Sequence, residues 1–488
     1  MRVPGGDGSR GPPPGAPRER ANCQSATDRT LVQWGMRLPL ILLVCLLISA
    51  CAPTVGDGSV RVEGPRLLDE SGRHLLLRGI NARVEGLFDV TFDDGRQELE
   101  PIPAFGAEDC RFLGEQAGMN LLRLPVNWSG LEPQQGAYDD AYRQRVVDLV
   151  AACAEHGVYT LVDLHQDAYS KEIGEDGAPL WAIVPPPDEL LEGPLDDLEE
   201  RRTSLQVLRA FGSFFDNEQN LQDDFAAMTA WLAEGLLGTP GLAGLEIFNE
   251  PVAFDDEALM AFHDRVATAV RAVDQEMPLA FEPDALRNFS DTDPVAVRVP
   301  FAGGIYAPHH YTDVFEDGWA SEDEDALREG LANAAGEGVR HGTPVLIGEL
   351  GHDPRTDRGA RWLQVSYDAM DGHRLSAALW LYEEWSQDSW GLYDAAPGPA
   401  RGEVREAAMD LVARPYPAAV SGELTGFDWD GTVLTVEFAG GGEHRIAAPL
   451  HVWSEAPKVD CGGEPVDAVR EGGFLTVSCD VSPLTVGG

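Results

Sequence analysis

Eight apolar runs, each followed by a helical stretch, constrain this chain more than any other feature of its sequence. The runs cover residues 75–81, 121–127, 159–164, 245–249, 279–282, 304–309, 345–349 and 377–381. Each is too short for a core helix and apolar enough for a strand covered on both faces. Amphipathic stretches separate them, among them 139–156, 256–273 and 322–341. Strands that alternate with helices form parallel sheets, because each return crossover needs about the length of a helix. The pattern predicts an α/β chain with a (β/α)₈ TIM barrel over residues 60–417, enlarged by insertions beyond the usual ~250 residues. The longest insertion, 168–239, follows the third run and is expected to wall a cleft.

After Arg414-Pro415-Tyr416-Pro417 the helical period stops. Runs at 427–429, 433–438, 444–447, 451–452 and 474–479 alternate between glycine-rich turns, which predicts a small β-sandwich over 418–488. So small a core gains from a cross-link. Cys110, Cys153, Cys461 and Cys479 are the only cysteines beyond Cys51. An even number in an exported chain predicts the pairs Cys110–Cys153 and Cys461–Cys479. Free buried thiols are the alternative, stronger for the first pair than for the second.

Export itself is read from residues 36–51. Met36-Arg37 gives a positive start, and an apolar run follows that is too short to span a bilayer but fits a signal peptide. It ends in Ile48-Ser49-Ala50-Cys51, which resembles a bacterial lipobox and implies a lipid on Cys51 after cleavage. An ordinary signal peptide that ends near a cysteine is the alternative. Residues 1–50 are then leader and signal, with translation starting at Met36 or a disordered leader before it, and 51–59 are a tether. A membrane-associated monomer is expected. The 82 acidic and 36 basic residues give a net charge of −46, which repels a polyanion and argues against nucleic acid as a partner.

Active residues of such barrels sit at the C-terminal ends of the strands. Here those ends read Leu122-Arg123-Leu124-Pro125-Val126-Asn127-Trp128, Asp163-Leu164-His165-Gln166-Asp167, Glu246-Ile247-Phe248-Asn249-Glu250-Pro251, Pro308-His309-His310-Tyr311, Ile347-Gly348-Glu349 and Leu379-Trp380-Leu381-Tyr382. Runs four and seven face each other across a barrel mouth. Glu250 and Glu349 can therefore stand ~5–5.5 Å apart, the separation that lets one carboxyl protonate a glycosidic oxygen while the other attacks the anomeric carbon. Arg123 can offset the charge of Glu349, His309 and Tyr311 can donate hydrogen bonds, and Asn249 is placed for a sugar 2-hydroxyl. Asn-Glu-Pro alone is often only a helix start, and Glu349 alone could be a surface acid. Two carboxylates that both end apolar strands are costly without a role. No tight metal-ligand spacing occurs, and no cofactor or metal is expected. Trp385 and Trp390 read equally as core or as groove lining, and Asp313, Glu383 and Glu384 read as rim residues.

These residues resemble glycoside hydrolase family 5. The resemblance implies Glu250 as acid/base, Glu349 as nucleophile, and Arg123, His165, Asn249, His309, Tyr311 and Trp380 as the shell around the reactive sugar. His165-Gln166-Asp167 followed by Asp176-Gly177-Ala178-Pro179-Leu180-Trp181, with a C-terminal sandwich, is similar to the endoglycoceramidases. That likeness implies sugar contacts from His165, Asp167 and Trp181, and a glycolipid substrate cut between glycan and ceramide. Val252 departs from the pattern, which places an aromatic after Asn-Glu-Pro. A lipid substrate further predicts an apolar trough, expected from residues 180–184 and 211–215. The rival readings are a secreted endo-β-glucanase or mannanase, with an open aromatic groove, and a glycan-binding lipoprotein without catalysis.

Overall fold

The computed structural model describes residues 60–292, 298–314, 321–383, 385, 390–396 and 401–488. The signal segment, Cys51, the tether at 51–59 and Glu384 lie outside the described residues.

All eight apolar runs contribute to one parallel sheet. Its strands are Arg78–Asn81, Leu121–Asn127, Tyr159–His165, Leu242–Glu246, Leu279–Phe281, Gly304–Tyr306, Leu346–Leu350 and Ser376–Leu379, called here barrel strands one to eight. They pair in the order seven, eight, one, two, three, four, five, six. Single parallel bridges, Tyr306 to Val345 and His310 to Leu350, join strand six to strand seven and close the ring. Strands two and three are buried at every position, as helices outside and side chains inside require. The amphipathic stretches form the helices Asp140–Ala154, Asp256–Arg271 and Ser321–His341. Asp139 and Asp255 begin the first two by accepting backbone N–H bonds that would otherwise be unpaired.

The long insertion is shorter than its sequence suggests. Its last part, Leu221–Leu236, is an ordinary barrel helix that packs between Asp140–Ala154 and Asp256–Arg271. The inserted chain proper follows strand three with two consecutive left-handed residues, Ala168 and Tyr169. Ion pairs of Glu175 with Arg83, and of Lys171 with Asp89, tie it to the loop after strand one, within which Arg83 also pairs with Glu100.

Beyond the barrel, a seven-stranded and a five-stranded antiparallel sheet enclose a core of Leu424, Phe427, Leu434, Val436, Phe438, Ile446, Val477, Leu484 and Val486. The seven-stranded sheet does not respect the expected boundary at 417/418. Arg61–Glu63, Arg66–Leu68 and His74–Leu75, counted with the barrel from sequence, pair with one another and with Tyr416–Val420. Residues 451–452, expected as a strand, form a turn in which the N–H groups of Val452 and Trp453 donate to the Pro449 carbonyl. Cys110–Cys153 and Cys461–Cys479 are both disulfides.

Candidate active site

Above the apolar floor of the barrel lies a layer of charge. Arg123, on strand two, is completely buried and every N–H group of its guanidinium points at a partner. Nε and Nη2 donate to the two oxygens of Glu246 at 2.8 and 2.7 Å. Nη1 donates to Asn81 Oδ1 at 2.8 Å and to Glu349 Oε1 at 2.7 Å, and Nη2 donates to Asn249 Oδ1 at 2.7 Å. Asp163 and Glu282 stand at 3.1 and 3.5 Å. Burial pushes the Glu246 carboxyl up, but the charge and hydrogen bonds of Arg123 outweigh it and bring it down to about 2. Asp163 shares Arg123 without its N–H fork, and burial raises its carboxyl well above the ordinary range.

Glu349 sits on strand seven, with Tyr311 donating its hydroxyl to Oε2 at 2.8 Å opposite the Arg123 contact. Both oxygens of this buried carboxylate are therefore held. The preceding Gly348 makes this possible: a Cβ there would lie 2.9 Å from His309 Nε2. Glu250 is four residues past the end of strand four rather than on it, because the strand ends at Glu246, inside the apolar run. Its backbone is left-handed, φ 41°, a conformation that a non-glycine residue keeps only where the surroundings impose it. Gln166 imposes it here by donating Nε2 to the carbonyls of Asn249 and Glu250 at 2.8 and 3.0 Å, while Asn249 Nδ2 returns a bond to the Gln166 carbonyl.

His309 stands between the two acids. Its Nδ1 is 2.8 Å from Glu250 Oε1 and 3.5 Å from Glu349 Oε2, and its Nε2 is 3.3 Å from Glu282 Oε1. Burial alone would lower this imidazole, but Glu282, Glu349 and Glu250 around it raise it well above the usual histidine range. Burial raises Glu250 in turn, and the hydrogen bond and charge of His309 reverse that and lower it. Asn288 Nδ2 donates to the same Glu250 oxygen at 2.8 Å. The facing atoms of Glu250, His309 and Glu349 all lie within 4.8 Å of one another, as do those of Glu246, Glu282 and His309. Either triad has the spacing of metal ligands, but Arg123 and His309 already stand among the carboxylates as their positive charge.

A flat aromatic wall adjoins this cluster. The His165 ring stacks on Trp380 at 5.5 Å and 11°, and the Arg83 guanidinium lies 5.2 Å from the Trp380 ring and 4.7 Å from the Phe88 ring. Burial lowers His165 to about 3, so it is a neutral ring, with Nδ1 2.6 Å from Asp163. Arg123, His165, Asn249, Glu250, His309, Tyr311, Glu349 and Trp380 are thus brought together. Asp167 lies beside them with both oxygens bound by Arg202, whose charge also reaches Glu250. Trp181 stands apart: its indole N–H donates to the Glu132 carbonyl and its ring packs edge-on against Trp128, 5.2 Å away.

Other expectations change. Phe211, Phe214 and Phe215 do not line a trough but belong to a buried aromatic cluster with Phe225, Phe248 and Phe262. Ala182, Ile183 and Val184 are buried as well. Glu383 is not a rim residue. It is buried, and accepts N–H bonds from Ala396 and Gly402. Trp390 packs against Tyr311, whereas Trp385 is 43% exposed. Sequence reasoning passed over Gln166, Glu246, Glu282 and Asn288. A signal existed for two of them: Glu246 lies inside an apolar run and Glu282 closes one, and both are acids where burial is costly.

The family model for cellulases of glycosyl hydrolase family 5 matches residues 101–386, more than half of the chain. The chain belongs to glycosyl hydrolase family 5. Among curated relatives, the endoglycoceramidase of Cyanea nozakii is 23% identical over 440 residues, covering 80% of this chain and 83% of the relative. The structure of an endogalactoceramidase is 26% identical with a TM-score of 0.75, over 88% of this chain and 99% of that one. The lactosyl–enzyme intermediate of endo-glycoceramidase II from Rhodococcus sp. is 25% identical with a TM-score of 0.72, over 86% and 98%. The likeness therefore extends past the family 5 barrel into the C-terminal sheets.

Proposed function

We propose that this family 5 enzyme is a retaining endo-β-glycosidase that releases the glycan of a glycosphingolipid from its ceramide. One observation carries the reaction type: Glu250 and Glu349, both facing Nδ1 of His309, approach within 4.8 Å of each other, the closeness a double displacement requires. In this reading Glu349, held by Arg123 and Tyr311, attacks the anomeric carbon and forms the glycosyl–enzyme ester. Glu250 gives its proton to the departing ceramide oxygen and then takes one from the incoming water. The Glu250 side chain keeps 20% exposure. A substrate that covers it removes its water and favours the protonated form needed in the first step. Asn249 binds the 2-hydroxyl, and Trp380 with His165 carries the sugar face.

The ceramide preference is supported by the named relatives and by the surface beside Glu250. The loops after strands four and five are tied together, Ala253 N to Asp284 Oδ2 at 2.9 Å and Ala285 N to the Pro251 carbonyl at 2.8 Å. Next to those bonds Phe254 is 65% exposed and Leu286 is 74% exposed, so the leaving-group side carries apolar surface. A lipid on Cys51 would keep a monomeric enzyme at a membrane where such substrates reside. An endo-β-glucanase, the activity named by the family model, is the second reading.

Azide rescue tests the roles. Glu349→Ala should lose cleavage and, with azide and an activated aryl glycoside, give the product of inverted configuration. Glu250→Ala should form the intermediate and stall, and azide should then yield the retained product. The reverse stereochemistry would exchange the two roles, and full activity in both variants would end the glycosidase reading. Mass analysis of products from glycosphingolipids and β-glucans separates the two substrate classes.

A further inference from the structure

Five carboxyls converge on the base of the site: Asp163, Glu246, Glu250, Glu282 and Glu349. Two cations, Arg123 and His309, stand among them. Asp163, Glu246 and Glu282 have no exposed side-chain surface at all. Full ionisation would leave three uncompensated negative charges in a cluster whose inner members are shut off from solvent. Protons must therefore reside on some of these acids, and the hydrogen bonds show on which.

Glu246 has both oxygens on the Arg123 fork, and Glu349 is held by Arg123 and Tyr311. Glu250 receives N–H bonds from Asn288 and His309. Glu282 receives no such bond. Neither of its oxygens receives a well-aligned N–H bond: Oε1 stands 3.3 Å from His309 Nε2, and the carboxyl lies against Glu246, an acceptor for its proton. An anion left so poorly satisfied is unfavourable, whereas a carboxylic acid can donate its proton and accept one bond.

We infer that Glu282 is a neutral carboxylic acid that positions His309 against Glu250, so that His309 shares its Nδ1 proton with the acid/base while its Nε2 faces a group without charge. Burial raises the Glu282 carboxyl well above its ordinary range even against the opposing charge of His309. The charged and titratable groups facing this pair are Arg123, Asp163 and Glu246 on strands two, three and four, Glu250, Tyr311 and Glu349 at the mouth, His263 on the helix Asp256–Arg271, which bonds the Glu282 carbonyl, and Arg287 after strand five, which bonds the His309 carbonyl. Arg202 and Asp167 act on Glu250 from the insertion. With Glu282 neutral and Glu246 held by the Arg123 fork, the carboxylates that face Nδ1 of His309 are Glu250 and Glu349, the two acids that change charge during the reaction. The proton between His309 and Glu250 then follows the state of Glu349. Glu282 is a positioning residue and touches no reacting atom.

This inference rests on Glu250 being the acid/base, and the test separates the two. Glu282→Leu removes both donor and acceptor. It should lower kcat by about 10–100-fold on a glycoside with a poor leaving group, and much less on one with a good leaving group, with KM little changed. Glu282→Gln keeps a donor and an acceptor without charge. It should recover most of that loss, with the pH limbs of kcat/KM where the natural enzyme has them. An ionised Glu282 would behave otherwise: its conversion to Gln would remove a charge beside His309 and move a limb by about one unit or more, which overturns the inference. An unselective loss across leaving groups in Glu282→Leu also overturns it. Should the leucine variant not fold, the pH profile of the glutamine variant still decides. If Glu250→Ala with azide does not give the retained product, the acid/base assignment itself has failed. If it does and Glu282→Gln shifts the profile, only the role of Glu282 falls.

Discussion

Replacing Arg123 with methionine should destabilise the fold as well as abolish activity, and the size of the effect can be worked from its partners. The change removes five hydrogen bonds and leaves Glu246, with no exposed surface, without the guanidinium that holds both its oxygens. Breaking a buried pair by deleting one partner costs about 3–5 kcal/mol. An independent route starts from Glu246, held near 2 against about 4.3 in an unfolded chain, which corresponds to about 3 kcal/mol. At roughly 2 cal/mol/K of unfolding entropy per residue, a chain of this size should lose about 3–6 °C in Tm at neutral pH. The pH dependence follows from the sign of the shift. A depressed folded-state pKa contributes stability that is complete above the unfolded value and is lost as pH falls through the folded one. The gap between natural enzyme and Arg123→Met should therefore be full at pH 7 and about a third smaller at pH 3.5. Thermal melts followed by circular dichroism at both pH values provide the measurement. A Tm change below about 1 °C at pH 7 would refute the account, as would a gap that widens on acidification.

Cys51→Ser should release the enzyme from the membrane fraction and remove the added lipid mass from the mature chain. A natural enzyme already soluble and without that mass would refute lipidation. Phe254→Ser and Leu286→Ser should each raise KM for a ceramide-linked substrate by about 10-fold, the order expected for losing most of one buried apolar side chain. Cleavage of a soluble aryl glycoside should change far less, and an equal effect on both substrates would show that these side chains support the fold rather than the lipid.

The barrel was legible because its signal is periodic and repeated. Each run had to be apolar to be buried on both faces, and eight of them left few alternatives. Residues 61–75 were not legible as part of the C-terminal sheet. Their partner Tyr416–Val420 lies some 340 residues away, and no local pattern encodes so distant a pairing. The insertion was overestimated because Leu221–Leu236, an ordinary barrel helix, joins it without a break in composition. Phe211–Phe215 misled for a related reason: an amphipathic helix shows an apolar face, but not whether a core or a ligand covers it.

The site was legible for a different reason, and only in part. A carboxylate at the end of an apolar run is expensive, so Glu250 and Glu349 stood out by their cost. The same argument applies to Glu246, inside the fourth run, and Glu282, at the end of the fifth, but their sequence carries nothing further to set them apart. What separates the two pairs is exposure: Glu250 and Glu349 retain 20% and 6% of their side-chain surface, whereas Glu246 and Glu282 retain none. Acids at the mouth can reach a substrate. Those beneath can act only on other side chains, by holding Arg123 in its fork or by deciding where the proton of His309 resides. One-dimensional spacing cannot distinguish these depths, because both layers occupy the same few residues at the ends of strands four to seven. Depth, rather than residue type, thus divides the carboxyls that meet the sugar from those that tune them.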